Sequence, residues 1–297
     1  MIPVFNSIDE LQIQLRKQLY LADRGLATAI FLALKLPRPL FLEGEAGVGK
    51  TEVAKALAGM LKTQLIRLQC YEGLDVHQAV YEWNYTRQIL HIRMLEASGK
   101  RPQEQDLFGP QFLLRRPLLQ AIQWSGEQPP VLLIDELDRS DEEFEAYLLE
   151  ILSDFQVTIP EIGTLQAKQP PIVVLTSNRT REVHDALKRR CLYHWIDFPS
   201  FERELEILTL KLPQLPQRLS RQVTAFVQEL RTMDLYKIPG VAETLDWAEA
   251  LWALDSQQLD SAVVNDTLGA LLKVQDDLLK IQGPEAEQLV AKVAAEV

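Results

Sequence analysis

The stretch Leu40-Phe-Leu-Glu-Gly44-Glu-Ala-Gly-Val-Gly49-Lys50-Thr51 joins a short apolar run to a glycine-rich loop. Leu40–Glu43 has the length and apolarity of a buried strand, and the periodicity of Thr51–Leu61 predicts a helix directly after the loop. The residues between them match the pattern Gly-x-x-x-x-Gly-Lys-Ser/Thr. Strand, loop and helix in this order predict a phosphate-binding loop at the carboxyl end of a strand.

Each fixed position of this loop has an expected ligand. Glycines let backbone N–H groups curl around phosphate oxygens, Lys50 reaches the β- and γ-phosphates, and the Thr51 hydroxyl ligates Mg²⁺. The helix that follows directs its positive N-terminal end at the anion. We therefore expect ATP and Mg²⁺ as cofactors, with nucleotide contacts from Gly44, Ala46, Gly47, Val48, Gly49, Lys50, Thr51 and Glu52.

A second apolar run ends in two carboxylates. Val131–Ile134 has the character of a buried strand, and Asp135 and Glu136 follow it directly. Open α/β sheets bind ligands at the carboxyl ends of their strands. Downstream of a phosphate-binding loop, Asp135 is expected to hold Mg²⁺ and Glu136 to polarise the attacking water. An apolar run ending in two acids is common by itself, and its alternative reading is solvation of a strand end.

Candidate contacts to the γ-phosphate lie further along the chain. Ile172–Leu175 repeats the apolar run and leads to Asn178, whose neutral amide can orient the nucleophilic water, or which can simply occupy a turn. Arg189 and Arg190 follow a predicted helix. They can form a solvated helix end that complements the helix dipole, or one can reach a neighbouring subunit's γ-phosphate as an arginine finger. The residues alone favour neither reading of the arginines.

The order of strand and helix patterns indicates the fold class. Strands that alternate with helices predict an α/β fold with a parallel sheet covered on both faces. After Pro199 the strand patterns stop and helical periodicity takes over. We therefore predict a P-loop nucleotide-binding domain at residues 1–199 and an all-α domain at residues 200–297.

Local patterns predict an insertion, a hairpin and further helices within these two domains. Residues 71–105 form too long a segment for a plain crossover, so we interpret them as an insertion that includes a polar loop at 98–105. Phe155–Ala167 alternates and turns like a β-hairpin. Helical spacing predicts helices at Leu113–Ile122 and Val263–Ile281.

Composition limits the classes of function. The chain has 297 residues and a net charge of −11, which leaves no broad basic surface and disfavours nucleic-acid binding. No apolar run approaches the ~20 residues that cross a bilayer, and Met1–Ser7 lacks a signal-peptide pattern. We therefore expect a cytoplasmic protein. Cys70 and Cys191 have no metal or disulfide spacing and are expected to be buried.

Taken together, Gly44–Thr51, the two acids, Asn178, the arginine pair and the helical C-terminal region resemble the AAA+ superfamily. The insertion, the hairpin and the phrase Asp135-Glu-Leu-Asp-Arg139 are similar to its MoxR branch. Four further phrases resemble the CoxD-like members encoded beside molybdenum hydroxylases: Arg67-Leu-Gln-Cys-Tyr-Glu-Gly-Leu-Asp75, Tyr81-Glu-Trp-Asn-Tyr85, Arg189-Arg-Cys-Leu-Tyr-His-Trp-Ile196 and Val241-Ala-Glu-Thr-Leu-Asp-Trp247. The resemblance covers roughly residues 20–255.

The resemblance implies an AAA+ core with a parallel five-stranded sheet, an all-α lid and ATP hydrolysis. It also implies a ring of identical subunits, expected to be a hexamer, in which Arg190, or else Arg189, acts on a neighbour's nucleotide. The branch contains ATP-driven chaperones that remodel or load metal into a partner enzyme, commonly with a von Willebrand factor A-domain adaptor. The implied client is a molybdenum enzyme such as carbon monoxide dehydrogenase.

Other classes of protein contain the same nucleotide-binding motifs. A chelatase-like motor for metal insertion is one alternative, and a nucleic-acid-acting AAA+ ATPase is another that the acidic charge disfavours. A small-molecule kinase is a third, disfavoured by the adjacent acids and the separate helical region. Pull-down partners and DNA binding would separate these classes.

The predicted lid and the insertion each contain one further notable feature. Family members often carry a γ-phosphate-sensing arginine in a Gly-x-Ser-x-Arg phrase at the start of a lid helix, but Gly240-Val-Ala-Glu-Thr244 has threonine there. We therefore expect the usual lid sensor to be absent. Four aromatic residues of the insertion can form a substrate-gripping surface or the insertion's own core, and core is the expectation: Tyr71, Tyr81, Trp83 and Tyr85.

Overall fold

A computed structural model describes residues 5–99, 103 and 107–296. The other residues lie outside this description, including the start of the segment used for the targeting prediction and part of the predicted polar loop at 98–105. The chain divides into two compact units. The first contains the residues up to Gln18, Ala22–Glu43 and Thr51–Trp195, and the second contains Leu19–Leu21, Gly44–Lys50 and Ile196–Val297.

The first unit carries the α/β structure. Its elements are α1 (Ile8–Lys17), α2 (Arg24–Lys35), β1 (Leu40–Gly44), α3 (Lys50–Leu61), β2 (Leu65–Gln69), α4 (Val76–Ala79), β3 (Tyr81–Trp83), α5 (Tyr85–Ala97), β4 (Leu113–Arg115), α6 (Pro117–Ile122), β5 (Val131–Asp135), α7 (Glu142–Asp154), β6 (Gln156–Ile159), β7 (Gly163–Gln166), β8 (Ile172–Ser177), α8 (Asp185–Arg190) and β9 (Leu192–Ile196). Short 3₁₀ turns lie at Pro110–Phe112 and Leu137–Arg139.

The central sheet has five strands in the order β2-β5-β8-β1-β9. The pairs β2–β5, β5–β8 and β8–β1 are parallel, so their carboxyl ends meet at one edge. At that edge Gln69 lies opposite Asp135, and Glu43 lies opposite Ser177. The predicted α/β class is confirmed. The two central strands β5 and β8 are buried throughout because helices cover both faces, which accounts for their continuous apolar sequences.

The predicted helix at Leu113–Ile122 is wrong in its first turn. Leu113–Arg115 forms β4, which pairs antiparallel with β3, and the helix begins only at Pro117. Proline forces the residue before it out of the helical region, and Arg116 is accordingly extended at φ −90° and ψ 171°. Proline at the first position then suits the helix start, where its missing N–H has no intrahelical partner.

The predicted hairpin is confirmed. β6 and β7 pair antiparallel, with Thr158 opposite Thr164 and their hydroxyl oxygens 3.0 Å apart. The hairpin lies between α7 and β8 in the chain. The insertion predicted after β2 contains α4, β3 and α5 among its described residues.

The interpretation of the insertion's aromatic residues as core holds for only part of the set. Trp83 is buried and packs edge-on against Tyr81 and Phe108, with ring centroids 6.2 and 5.2 Å away. Tyr71 and Tyr85 are instead 44% and 63% exposed. Tyr85 is the first residue of α5, and most residues of that helix are exposed as well.

From Phe201 to Glu296 the second unit consists of helices and the loops between them. Its helices are α9 (Phe201–Lys211), α10 (Gln217–Thr232), α11 (Val241–Ala253), α12 (Ser261–Leu271), α13 (Gln275–Ile281) and α14 (Pro284–Glu296). Its core centres on Trp247, which is fully buried against Phe226 with ring centroids 5.1 Å apart. The indole N–H of Trp247 donates to the Thr267 hydroxyl at 2.8 Å, which satisfies its polar atom in the core.

The single helix predicted at Val263–Ile281 is wrong, because the chain leaves the helix at Leu272. That residue is extended at φ −100° and ψ 134°, and its side chain is buried. The Lys273 ammonium donates to the carbonyls of Gly269 and Ala270, which satisfies acceptors at the end of α12. Neither glycine nor proline marks this break, so the apolar periodicity runs through it.

Cys70 and Cys191 are free thiols and buried, as predicted. In the part of the chain that the structure describes, no helix combines the length and apolarity needed to cross a membrane.

Candidate active site

The glycine loop depends on conformations that side chains rarely adopt. Gly44 has φ +155°, and a Cβ there would lie 2.3 Å from the backbone oxygen of Ile196. Gly47 has φ +77°, and a Cβ there would lie 2.7 Å from a carboxylate oxygen of Glu243. Both positions therefore require glycine, for backbone conformation and for close approach.

Lys50 folds back over the loop that precedes it. Its ammonium donates to the carbonyl oxygens of Gly44 at 2.8 Å and Glu45 at 2.6 Å, and its side chain is 6% exposed. The positive charge predicted to meet the phosphates is thus held at the loop itself. Backbone N–H groups and a lysine ammonium in one loop form an anion-binding arrangement.

The start of α11 contacts the same loop within the second unit. The Ala242 N–H donates to the Gly47 carbonyl at 3.2 Å, and the Glu243 carboxylate caps the helix by accepting the Gly240 N–H at 3.0 Å. Gly-x-x-Glu spacing is a recognisable capping signal, but its contact with the loop is tertiary and has no local signature.

Thr51 and Asp135 lie together at the sheet edge of the first unit. The Thr51 hydroxyl donates to Asp135 Oδ1 at 3.0 Å, and the Thr176 hydroxyl donates to the same oxygen at 2.6 Å. Arg67 donates to Asp135 Oδ2 from Nε at 3.0 Å and from Nη2 at 2.6 Å. Asp135 is 2% exposed, so these four hydrogen bonds satisfy a buried carboxylate. The sequence predicted the first pair but not Arg67 or Thr176.

Glu136 occupies a strained position beside Asp135. Its φ is +55°, which is uncommon for a residue with a side chain and occurs preferentially at functional sites. Its N–H donates to the Thr176 hydroxyl at 2.9 Å. Its carboxylate accepts from Gln69 Nε2 at 3.0 Å and from Arg139 Nε at 3.0 Å. The side chain is therefore directed by groups on β2 and on the turn after β5.

Asn178 is positioned by a carboxylate that the sequence did not single out. Asp138 accepts the N–H groups of Asn178 at 3.1 Å and Thr180 at 2.9 Å, and the Thr180 hydroxyl at 2.6 Å. Burial alone would raise the pKa of Asp138, but these hydrogen bonds outweigh burial and lower the pKa below its ordinary value. A charged Asp138 thus joins the loop after β8 to the turn after β5.

Arg189 and Arg190 are the last two residues of α8, and their hydrogen-bond partners differ from those of the two acids. The Arg190 guanidinium donates to the Leu149 carbonyl at 2.7 Å and to the Ser153 hydroxyl, both on α7. Arg38 donates to the backbone oxygens of both arginines. The structure therefore brings Asp135, Glu136 and Asn178 to one sheet edge, while the arginine pair contacts α7 and the segment before β1.

The donors at the sheet edge fit a nucleotide-bound Mg²⁺. Mg²⁺ usually takes one or two protein oxygens and completes its shell with waters and substrate phosphates. The Thr51 hydroxyl and the Asp135 carboxylate, 3.0 Å apart, supply that small set. Within the described residues, no group of three or more His, Cys, Asp or Glu side chains could hold a metal by itself. The pair of Thr51 and Asp135 suits a metal that arrives with a phosphate ligand.

Comparisons with known proteins identify one family by sequence and several similar chains by structure. A sequence profile for the AAA domain of the dynein-related subfamily matches residues 39–191. The RuvB Holliday junction branch migration motor of Thermotoga maritima is structurally similar, with 17% identity over 93% of this chain and 74% of that one, at a TM-score of 0.46. A protein of Cytophaga hutchinsonii named as a candidate ATPase is 14% identical over 98% and 94%, at a TM-score of 0.49. No curated protein matches the sequence.

Proposed function

The chain belongs to the AAA domain family, in its dynein-related subfamily, and we propose that it hydrolyses ATP to ADP and phosphate in order to remodel a partner protein. One observation carries the ATPase assignment. Thr51, which follows the glycine loop directly, donates to Asp135 at 3.0 Å, and Glu136 is the next residue after that acid. The hydroxyl and the acid proposed to bind the metal are therefore neighbours at one sheet edge, and the second carboxylate follows directly in the chain.

The proposed roles follow from charge and position. The nucleotide contacts are Gly44, Ala46, Gly47, Val48, Gly49, Lys50, Thr51 and Glu52. Lys50 places its charge on the β- and γ-phosphates, and Thr51 and Asp135 hold Mg²⁺, which neutralises phosphate charge when bound. Glu136 polarises the attacking water and Asn178 orients it. Residues 1–199 serve as the nucleotide-binding domain and residues 200–297 as a helical lid.

We further propose that the chain is a MoxR-type, CoxD-like chaperone. Two features support this: the inserted elements α4, β3 and α5 after β2, and the β6–β7 hairpin before β8. Both are among the features on which the resemblance to that branch rests. The proposed assembly is a hexameric ring with Arg190 or Arg189 acting in trans. The proposed partners are a von Willebrand factor A-domain adaptor and a molybdenum enzyme such as carbon monoxide dehydrogenase.

The chaperone assignment is tested by trapping the ATP-bound form. Glu136→Gln protein is incubated with ATP and MgCl₂, its mass is measured by light scattering, and bound proteins are recovered from native extract and identified by mass spectrometry. Glu143→Gln, at an exposed position of α7, is the matched control. We expect an ATP-dependent ring that retains a molybdenum enzyme or an A-domain protein. Recovery of a tetrapyrrole chelatase subunit would support the chelatase alternative, and salt-sensitive DNA binding would support a nucleic-acid motor.

A further inference from the structure

A continuous chain of hydrogen bonds connects the two acids of the candidate active site. Arg67 donates twice to Asp135 Oδ2, and its Nη2 also donates to Gln69 Oε1 at 2.5 Å. Gln69 Nε2 in turn donates to Glu136 Oε2 at 3.0 Å. The guanidinium therefore contacts the proposed metal-binding acid directly and the proposed water-polarising acid through one amide.

The sheet fixes this arrangement. β2 pairs with β5 so that Arg67 lies opposite Leu133 and Gln69 lies opposite Asp135. Alternate residues of a strand share a face, so Arg67 and Gln69 extend to the same side. The side chain of Arg67 is 52% exposed whereas that of Asp135 is 3% exposed. A partly solvated cation thus reaches a buried anion from a neighbouring strand.

We propose, resting on the proposed ATPase function, that Arg67 is a positioning residue that links Mg²⁺ binding at Asp135 to the placement of Glu136. The guanidinium and the metal draw on the same carboxylate. Mg²⁺ at Asp135 would weaken the Arg67–Asp135 pair, and Arg67 would then keep its hydrogen bond to Gln69 Oε1. Because the Gln69 amide also donates to Glu136, the second acid would keep its orientation when the metal is in place.

Charge and shape contribute separately to this role. The charge of Arg67 reduces the negative potential that Asp135 offers to a metal, and this effect is moderate because the arginine is half-exposed. The planar fork of Arg67 lets one side chain donate to Asp135 and Gln69 together, which a lysine ammonium reproduces poorly. Removing the charge should therefore strengthen Mg²⁺ binding, and removing the fork should impair the orientation of Glu136.

The test titrates MgCl₂ into protein with a fixed concentration of a fluorescent ADP analogue, and measures ATP turnover in parallel. In Arg67→Gln we expect the half-saturating Mg²⁺ concentration to fall about three- to tenfold while turnover falls at least about tenfold. In Arg67→Lys we expect half-saturation within about twofold of the unmodified protein, with turnover still reduced. Arg116→Gln, which removes an exposed ion pair with Glu82, is the matched control and should change neither quantity.

The opposite directions of the two effects separate this role from general damage to the site, which would weaken Mg²⁺ binding and turnover together. An unchanged or raised half-saturation in Arg67→Gln would overturn the inference while leaving the ATPase assignment intact. If the unmodified protein did not bind the nucleotide analogue in a Mg²⁺-dependent manner, the proposed ATPase function would fail. The role of Arg67 would then fail as well.

Discussion

The N–H of Asn178 donates to the carboxylate of Asp138 across 3.1 Å, which fixes the loop after β8 to the turn after β5. Asp138→Asn replaces one acceptor oxygen by a donor that faces other donors. We expect the free energy of unfolding in urea to fall by about 2–3 kcal/mol, and ATP turnover to fall with the displacement of Asn178. Asp154→Asn, at the exposed end of α7, should remain within about 0.5 kcal/mol of the unmodified protein. Equal stability of the two variants would contradict the role of Asp138.

The same carboxylate predicts a pH dependence. The folded pKa of Asp138 lies below its ordinary value, because hydrogen bonds from Thr180 and Asn178 outweigh the opposing effect of burial. A lowered folded pKa contributes stability that is complete above the unfolded pKa of about 3.9 and is lost as the pH falls towards the folded pKa. The difference in unfolding free energy between the unmodified protein and Asp138→Asn should therefore be constant near neutrality and shrink below about pH 4. A difference that grew in acid would exclude this explanation.

Thr244, which the sequence analysis expects in place of a lid sensor arginine, belongs to a buried cluster. Its hydroxyl donates to Glu204 at 2.8 Å, and Arg231 donates to both oxygens of Glu204 at 2.6 and 2.7 Å. Glu204 is fully buried, so Arg231→Met leaves an unpaired buried charge and should cost about 3–5 kcal/mol of unfolding free energy. Arg203→Met breaks a half-exposed pair and should cost less than about 1 kcal/mol. Similar losses in the two variants, measured in urea, would refute this account of the cluster.

The two cysteines should be unreactive in the folded protein. Burial raises the pKa of Cys70 to about 12, with the nearby charge of Asp135 adding to the effect, and burial raises the pKa of Cys191 to about 12. Because the thiolate is the reactive form, iodoacetamide at pH 8 should leave both residues unmodified in the native state and label both in urea. Mass spectrometry of timed samples measures this. Rapid labelling of either cysteine in native protein would show that its surroundings are more open than in the structure.

The proposed action of an arginine on a neighbouring subunit predicts rescue by mixing. Arg190→Ala subunits keep an intact glycine loop, and Lys50→Ala subunits keep an intact Arg190. Each variant alone should lose most ATP turnover, and mixed rings should recover part of it. Arg190 also contacts Leu149 and Ser153 on α7, and loss of that contact within a subunit would not be rescued. If neither Arg190→Ala nor Arg189→Ala were rescued at any mixing ratio, action of either arginine in trans would be excluded.

The sequence predicts those parts of the site that contiguous residues determine. The run into Gly44, the helix after Lys50 and the strand that ends in Asp135 are each local patterns, and the structure has each of them. The hairpin after α7 is also local, because its alternation and turn lie within Phe155–Ala167.

The contacts that hold the acids depend on strand order and could not be predicted. Arg67 and Thr176 reach Asp135 from the two strands that flank β5, and neither has a local pattern that indicates this. The start of α6 differs from the prediction for another reason: helical spacing extends back to Leu113, but Pro117 is the first residue of the helix. The break after α12 has no comparable signal, since Leu272 is an ordinary apolar residue.

The assignment of Glu136 is tested by measuring phosphate release and ATP affinity in Glu136→Gln. We predict that turnover falls by about 10²–10⁴-fold, the usual contribution of a general base, while the Kd for ATP in the presence of Mg²⁺ stays within about threefold. Lys50→Ala should lose ATP affinity instead, because it removes the charge proposed to lie on the β- and γ-phosphates. Full turnover in Glu136→Gln would contradict the assignment of Glu136 and the ATPase mechanism built on it.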